Sequence, residues 1–392
     1  MSSSTGPAVA ASPAGTWTAG GDLPAAACWL GQHDGAVVLG GGDRVLVAGG
    51  AGPSGAGLTL STVYTVAAKT WAPAGALNAA RRLHSLTRLA DGSVLAVGGI
   101  AGPSAGPGLV SAELYDPDAG TWTPTGSLAT ARWGGAAALL PDGSVLVAGG
   151  STVRSGGTLA ALRSAERYDP DSGTWSPAAD MTDARTGHTA VPLDGAVLVC
   201  GGVAPVGTAD DAALAFCELY DPAHDSWAPT GSLGRGRRHH AAVALSTATV
   251  LITGGTAPGA PGGGPFDPFS QRGAEVFDKA GGRWTAVADM PSGRAFHRAL
   301  GPAAGAALLP GGAATDRDEA GYRSVVTYDV SGDSWAVAPG LATGRWGYAA
   351  AALSGGSVLV AGGVTRSGLA AADPGSTELT ATTEVLAPGA GP

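Results

Sequence analysis

Lysine is almost missing from this chain: Lys69 and Lys279 are the only two in 392 residues. Charged residues make up 14%, against ~25% in an ordinary soluble domain. The formal net charge is −9, and no Lys/Arg block interrupts it. The basic stripe that nucleic-acid binding requires is therefore absent. No apolar run approaches the ~20 residues of a membrane-spanning helix. The first segment, MSSSTGPAVAASPAGTW, has neither a basic start nor an apolar centre. It does not read as a secretory leader, and a cytoplasmic protein is expected. Cysteine is scarce too. Cys28, Cys200 and Cys217 fit a reducing compartment and read as buried thiols, with Cys200 and Cys217 expected on adjacent strands. No segment keeps a 3.6-residue apolar period, so a helical domain is not expected.

Glycine, in contrast, is abundant at 66 residues. Much of it sits in a repeated phrase. Asp142–Gly150 reads DGSVLVAGG: a turn, a short apolar run, then paired glycines. The run reads as a buried strand, and the glycines as backbone that bends or passes close to another backbone. Copies end at Gly50, Gly99, Gly202 and Gly363, with weaker ones at Gly255 and Gly312. A second phrase follows each, such as SAELYDPDAGTW at Ser111–Trp122. It holds a strand ending in an aromatic, an Asp-rich turn and a strand opening on tryptophan, the pattern of a hairpin. A third phrase, ARTGHTAVPLDG at Ala184–Gly195, is an apolar strand opened by arginine. One unit is thus four short strands, repeated about every 50 residues, and such a period points to one large repeat domain rather than several.

Seven units of this kind resemble kelch repeats, and the likeness implies an all-β fold: a seven-bladed β-propeller with four antiparallel strands per blade. The last unit lacks its tryptophan strand, while AGTWTAGGDLP, with Trp17, stands unassigned near the start. That N-terminal strand is expected to complete blade seven and remove the free sheet edge. The propeller is expected over residues 12–386, between disordered tails at 1–11 and 387–392. Residues 256–272 form the clearest insertion, and 364–381 another long loop.

Ligands of propellers bind at the mouth of the central channel. There the inner strand opens with Arg-x-x-His at Arg81/His84, Arg185/His188, Arg237/His240 and Arg294/His297. Blade three has Arg132 with Gly135, blade seven Arg345 with Tyr348. Blade one reads as Leu30 at the arginine position and His33 at the histidine position. A position repeated in most blades reads as scaffold. Residues that break the repeat are more informative: Trp133, Arg238, His239, Phe296, Arg298, Trp346 and Tyr348, with Arg82, Gln32 and Asp34 beside them. Aromatics with a few ionisable groups are the make-up of a small-molecule pocket. Trp133, Arg238, Phe296, Arg298, Arg345 and Trp346 are the candidate ligand-binding residues. His239 is the acid–base candidate, because Arg237 and Arg238 would favour its neutral form, and Tyr348 accompanies it. The acidic loop at Asp316, Asp318 and Glu319 reads as solvated, and Glu218, Asp221 and His224 as structure. No metal set at recognised spacing is found, and no cofactor is expected.

Several functions remain open on this reading. Galactose oxidase and its relatives share the propeller, but their copper needs tyrosine and histidine ligands that find no counterpart here. Kelch-type epimerases of sugar acids imply that a bare propeller can carry out proton chemistry. The composition suggests a high-GC bacterium. The expectation is a monomeric small-molecule-binding propeller, extending to an isomerase, cyclase or lyase without redox cofactor. The alternative is a protein-interaction scaffold, and a copper-radical oxidase comes third.

Overall fold

The computed structural model describes residues 15–29, 35–154, 156–204, 213–257, 270–302, 305–314 and 319–387. The expected tail 1–11 and most of the tail 387–392 lie outside these residues. So do most of the 256–272 insertion and the Asp316 and Asp318 positions. The described chain is strands and turns, with two short 3-10 turns at Ser354–Gly356 and Gly368–Ala370.

Seven antiparallel sheets form a ring, as the repeat predicts. Blade 2 is the plain case: Ser85–Arg88 innermost, then Val94–Val97, Ala112–Asp116 and Thr121–Thr125. The second strand is buried along its length because sheets cover both its faces. Leu95 and Val97 of blade 2 pack on Val145, Val147 and Tyr168 of blade 3, and similar clusters fill the other gaps. Each fully buried aliphatic side chain contributes about 1.5–3 kcal/mol of transfer free energy.

Blade 7 combines both ends of the chain. Trp17–Ala19 pairs antiparallel with Thr383–Leu386, Trp17 opposite Leu386. Closure by the N-terminal strand is as expected. Blade 6 departs from the pattern. Among the described residues it has three strands, and its innermost one is reduced to a single bridge between Leu300 and Leu308.

Two devices set the geometry of a blade. The turns on one face, which we term the turn face, are fixed by aspartate: Asp116 Oδ1 accepts the N–H groups of Asp118 and Ala119. On the opposite, loop face stand the paired glycines. Gly98 and Gly99 have φ of 65° and 95°. A Cβ on Gly98 would lie 2.6 Å from Arg132 O of the next blade. Both positive φ and close approach thus require glycine here.

Candidate functional site at the channel mouth

The four residues that open each inner strand decide what faces the mouth. Their first position is structural. Arg345 donates to Gly362 O, Thr382 O and Glu384 Oε1, at 2.8, 2.8 and 2.7 Å, and is fully buried. Its Nη1 and Nη2 groups thus bond within the blade, where the other first-position arginines bond as well. Glu113 shows the balance in such a pair. Burial alone would raise its carboxyl pKa, but hydrogen bonds from Asn78 and Arg81 win and hold it below the usual range.

The fourth position is also structural. His240 Nε2 lies 3.0 Å from Thr189 Oγ1 and His297 Nε2 2.9 Å from Thr253 Oγ1, each joining neighbouring blades. Tyr348 takes this place in blade 7. It is fully buried, its hydroxyl donates to Pro310 O, and it accepts the Arg298 N–H at 3.2 Å. Tyr348 thus sits between blades 6 and 7. Burial and the neighbouring arginines hold His240 and His297 well below the ordinary imidazole pKa.

The second and third positions form the mouth. Second-position residues pair with the residue after the paired glycine: Arg82 with Ile100, Trp133 with Ser151, Arg238 with Thr256, Trp346 with Val364. Third-position residues take left-handed backbone in six blades: Leu83, Gly134, Gly187, His239, Phe296 and Gly347, with φ between 53° and 63°. They are linked around the axis. Gly134 N–H donates to Leu83 O, Gly187 N–H to Gly134 O, Phe296 N–H to His239 O and Gly347 N–H to Phe296 O, at 2.8–3.0 Å. Three blades use glycine for this strained conformation. Leu83, His239 and Phe296 hold it with side chains, at about 1–2 kcal/mol each. The His239 and Phe296 rings stack, centroids 4.1 Å apart. In blade 4, next to His239, a side chain on Gly187 would meet open space.

Blade 1 requires a correction of register. Ala27 O accepts Gly363 N–H at 2.7 Å, as Arg345 O accepts Gly312 N–H in blade 7. Cys28 pairs with Ala51, as second-position residues do elsewhere, and Trp29 N–H donates to Gly347 O. Ala27, not Leu30, therefore holds the arginine position. Leu30, Gln32, His33 and Asp34 lie outside the described residues.

Among the remaining candidates, Phe296 and Trp346 come together with Cys28, Ala295 and Val364 in one apolar cluster. They are packed rather than open: Trp346 is 1% exposed, Phe296 4% and Trp133 7%. Arg298 is a strut, its Nη2 donating to Trp29 O at 2.8 Å. Arg238 and His239 remain partly exposed. Burial, then the Arg238 charge, push the His239 pKa down to about 3. Trp29 and Leu83 were missed as mouth residues. Trp29 gave one signal: it is a tryptophan outside the outer-strand phrase. Among the described residues, no group of three or more His, Cys, Asp or Glu side chains could hold a metal ion. Cys200 and Cys217 are free thiols opposite each other on paired strands.

The blade pattern has a match among known proteins. A profile of the Kelch motif fits residues 132–182, which is blade 3 from its opening arginine to the start of blade 4. Human Kelch-like protein 34 is 34% identical over 163 residues, 41% of this chain and 24% of that protein. Alpha-scruin of Limulus polyphemus is 29% identical over 49% of this chain and 21% of its own length. This chain is a kelch-repeat β-propeller. It spans about a quarter of the length of the curated relatives it matches. A fungal alcohol oxidase of the AA5 family, solved in complex with copper, superposes with a TM-score of 0.67. That superposition covers 95% of the kelch propeller and 76% of the oxidase. At 16% identity the likeness is one of fold.

Proposed function

We propose that this propeller binds a protein partner on its loop face. One observation carries the reading. Three large apolar side chains stand exposed on loops that follow the paired glycines: Val110 at 40%, Leu159 at 42% and Leu369 at 78%. Leu159 begins the second strand of a hairpin, Ser151–Val153 with Leu159–Ala161. Leu369 lies within another, Val364–Ser367 with Thr377–Leu379. These hairpins are added to the repeat, so blade packing does not explain their apolar residues. Loops carried on a rigid platform are where binding residues concentrate, and a partner seated there would cover these side chains. Arg82, Arg154 and Arg366 lie on the same face and would favour acidic groups on the partner.

Cross-linking in the host, followed by reconstitution with the purified partner, tests this. Val110→Ser, Leu159→Ser and Leu369→Ser combined should weaken binding at least ~30-fold, the loss of about 2 kcal/mol that full burial of even one of these side chains would bring. A partner that binds this variant as tightly as the parent chain sinks the proposal.

A second reading, a small-molecule site at the mouth, is favoured by the strained Leu83, His239 and Phe296. Isomerase, cyclase or lyase chemistry extends that reading and would fall to His239. With a pKa of about 3, its imidazole is neutral at pH 7 and a poor general base, because an effective base titrates near the working pH. His239 therefore suits hydrogen bonding to a ligand better than proton abstraction. Screening carboxylate ligands against His239→Ala tests it: a ligand whose affinity is unchanged in the variant removes His239 from the site.

A further inference from the structure

In five blades a buried arginine at the first motif position is closed by a glutamate on the third strand. The pairs are Arg81–Glu113, Arg132–Glu166, Arg185–Glu218, Arg237–Glu275 and Arg345–Glu384, at 2.6–3.1 Å. The same carboxylate accepts a backbone N–H from the segment leading into the inner strand: Asn78, Ala129, Thr182, Gly234 or Ala342. Blades 1 and 6 lack the glutamate. Their strand registers put Thr62 and Val326 in its place. In both, the residue whose N–H it would accept is a proline, Pro24 or Pro291, which has no N–H to offer.

The two blades then differ. Blade 1 has lost the cation together with its partner, since Ala27 holds the arginine position. Blade 6 keeps Arg294. This guanidinium is fully buried and donates only to neutral acceptors. Its Nη1 reaches Leu309 O and Gly311 O at 3.1 and 3.0 Å. Its Nη2 reaches Ser292 Oγ and Ser324 Oγ at 3.1 and 3.3 Å. Among the described residues no carboxylate pairs with it. Burial pushes its pKa down to about 10, opposed by Tyr348 and Tyr322. A buried cation without a counter-charge is costly, and blade 1 shows how the repeat loses both members together.

Beside it, between blades 5 and 6, lies a cavity of about 740 Å³. Its wall includes Arg235, Arg272, Ser292 and Tyr322, together with two carboxylates, Asp289 and the Arg237-paired Glu275. Ser292 joins the two features. Its oxygen accepts from Arg294, which leaves its own O–H to donate into the cavity. We propose that this cavity is an oxyanion site. A carboxylate or phosphate group would be held by the Ser292 and Tyr322 hydroxyls and by Arg235 and Arg272, with Arg294 supplying the counter-charge beneath.

Thermal unfolding of the full chain in inorganic phosphate and in succinate, at an ionic strength fixed with chloride, tests this. At least one anion should raise Tm by roughly 2 °C once saturating. A response to phosphate alone identifies phosphate as the ligand class, and a response to succinate alone identifies carboxylate. Two variants should lose the rise. Val326→Glu with Pro291→Ala supplies the missing carboxylate and N–H from within. Ser292→Ala removes the link and changes a half-buried residue only, so it stays informative if the double variant does not fold. No rise over chloride overturns the proposal. So does a rise that Ser292→Ala retains, because that is a general salt effect.

Discussion

Of the ten tryptophans, seven stand in the outer wall and three at the mouth, and the two groups are held differently. Each outer tryptophan packs on its own blade and donates its indole N–H to the blade before. Trp122 reaches Ser61 Oγ at 2.8 Å, Trp227 reaches Ala179 O at 2.8 Å, and Trp17 reaches Pro339 O at 2.8 Å. In blades 1–6 the same ring tilts against a tyrosine or phenylalanine, as in Tyr115–Trp122 at 5.2 Å. Trp29, Trp133 and Trp346 have no such common geometry. Trp29 donates to Ala48 O at 3.1 Å within blade 1, while Trp346 lies in the apolar cluster with Phe296. In the wall, one residue type solves one problem seven times. At the mouth, residue type changes from blade to blade, so blade packing does not dictate it. Function is therefore to be sought where the ring loses its symmetry.

Substitutions on the two sides should separate these roles. The largest effect is expected from deleting residues 1–22, which removes the outer strand of blade 7 and exposes a sheet edge. The loss should be about 5 kcal/mol or more, read as a collapse of Tm or as aggregation. A truncated chain with unchanged Tm would break the closure. Next comes Arg185→Ala. It leaves Glu218 buried without its cation and should cost about 3–5 kcal/mol by denaturant unfolding. Arg238→Ala, one motif position further on in blade 5, should cost under about 1 kcal/mol. Equal losses would mean that both positions are scaffold.

Acid should act on the ring as well. His239, His240 and His297 have folded pKa values below the unfolded ~6.5. Below pH 6.5 the unfolded chain takes up protons that the folded chain refuses. Stability is therefore full above pH 6.5 and is lost as pH falls toward the depressed values. The fully buried pair, His240 and His297, should each contribute up to about 1.4 kcal/mol per pH unit. Tm measured from pH 7.5 to 5 should fall with that sign, and His240→Gln should flatten the curve. The smallest effect belongs to His239→Gly. Relief of left-handed strain, about 1–2 kcal/mol, is offset by the lost stack on Phe296, about 0.5–1.5 kcal/mol. Stability should stay within about 1 kcal/mol. A loss of several kcal/mol would move His239 from the mouth to the scaffold.

The fold was legible because its determinants are local and repeated. Paired glycines, the Asp turn and the outer tryptophan recur at one spacing, and the unmatched Trp17 pointed to blade 7. Blade 1 misled by three residues because Ala27 and Thr62 replace the arginine and its acidic partner together. Nothing charged remained to mark the register, and Leu30 with His33 imitated the spacing. The mouth was legible only in part. Trp133, Arg238, His239 and Phe296 do stand in second and third positions. Arg345 and Tyr348 stand in the first and fourth, and a large polar side chain looks the same in sequence whether its partners are a ligand or a neighbouring strand. The left-handed ring carried a weak signal: Gly134, Gly187 and Gly347 show it, whereas Leu83 and Phe296 conceal it.

Pairing Trp17–Ala19 with Thr383–Leu386 also sets an order in time. Thr18 and Val385 lie 367 residues apart. At ~5–20 residues per second on a ribosome, roughly 20–70 s pass between the emergence of the first strand and that of its partner. Six blades can stack during that wait while a short tryptophan-bearing segment stays unpaired. A holding factor, or a binding segment from another copy, has its best opportunity in that interval, and it ends when the last strand arrives.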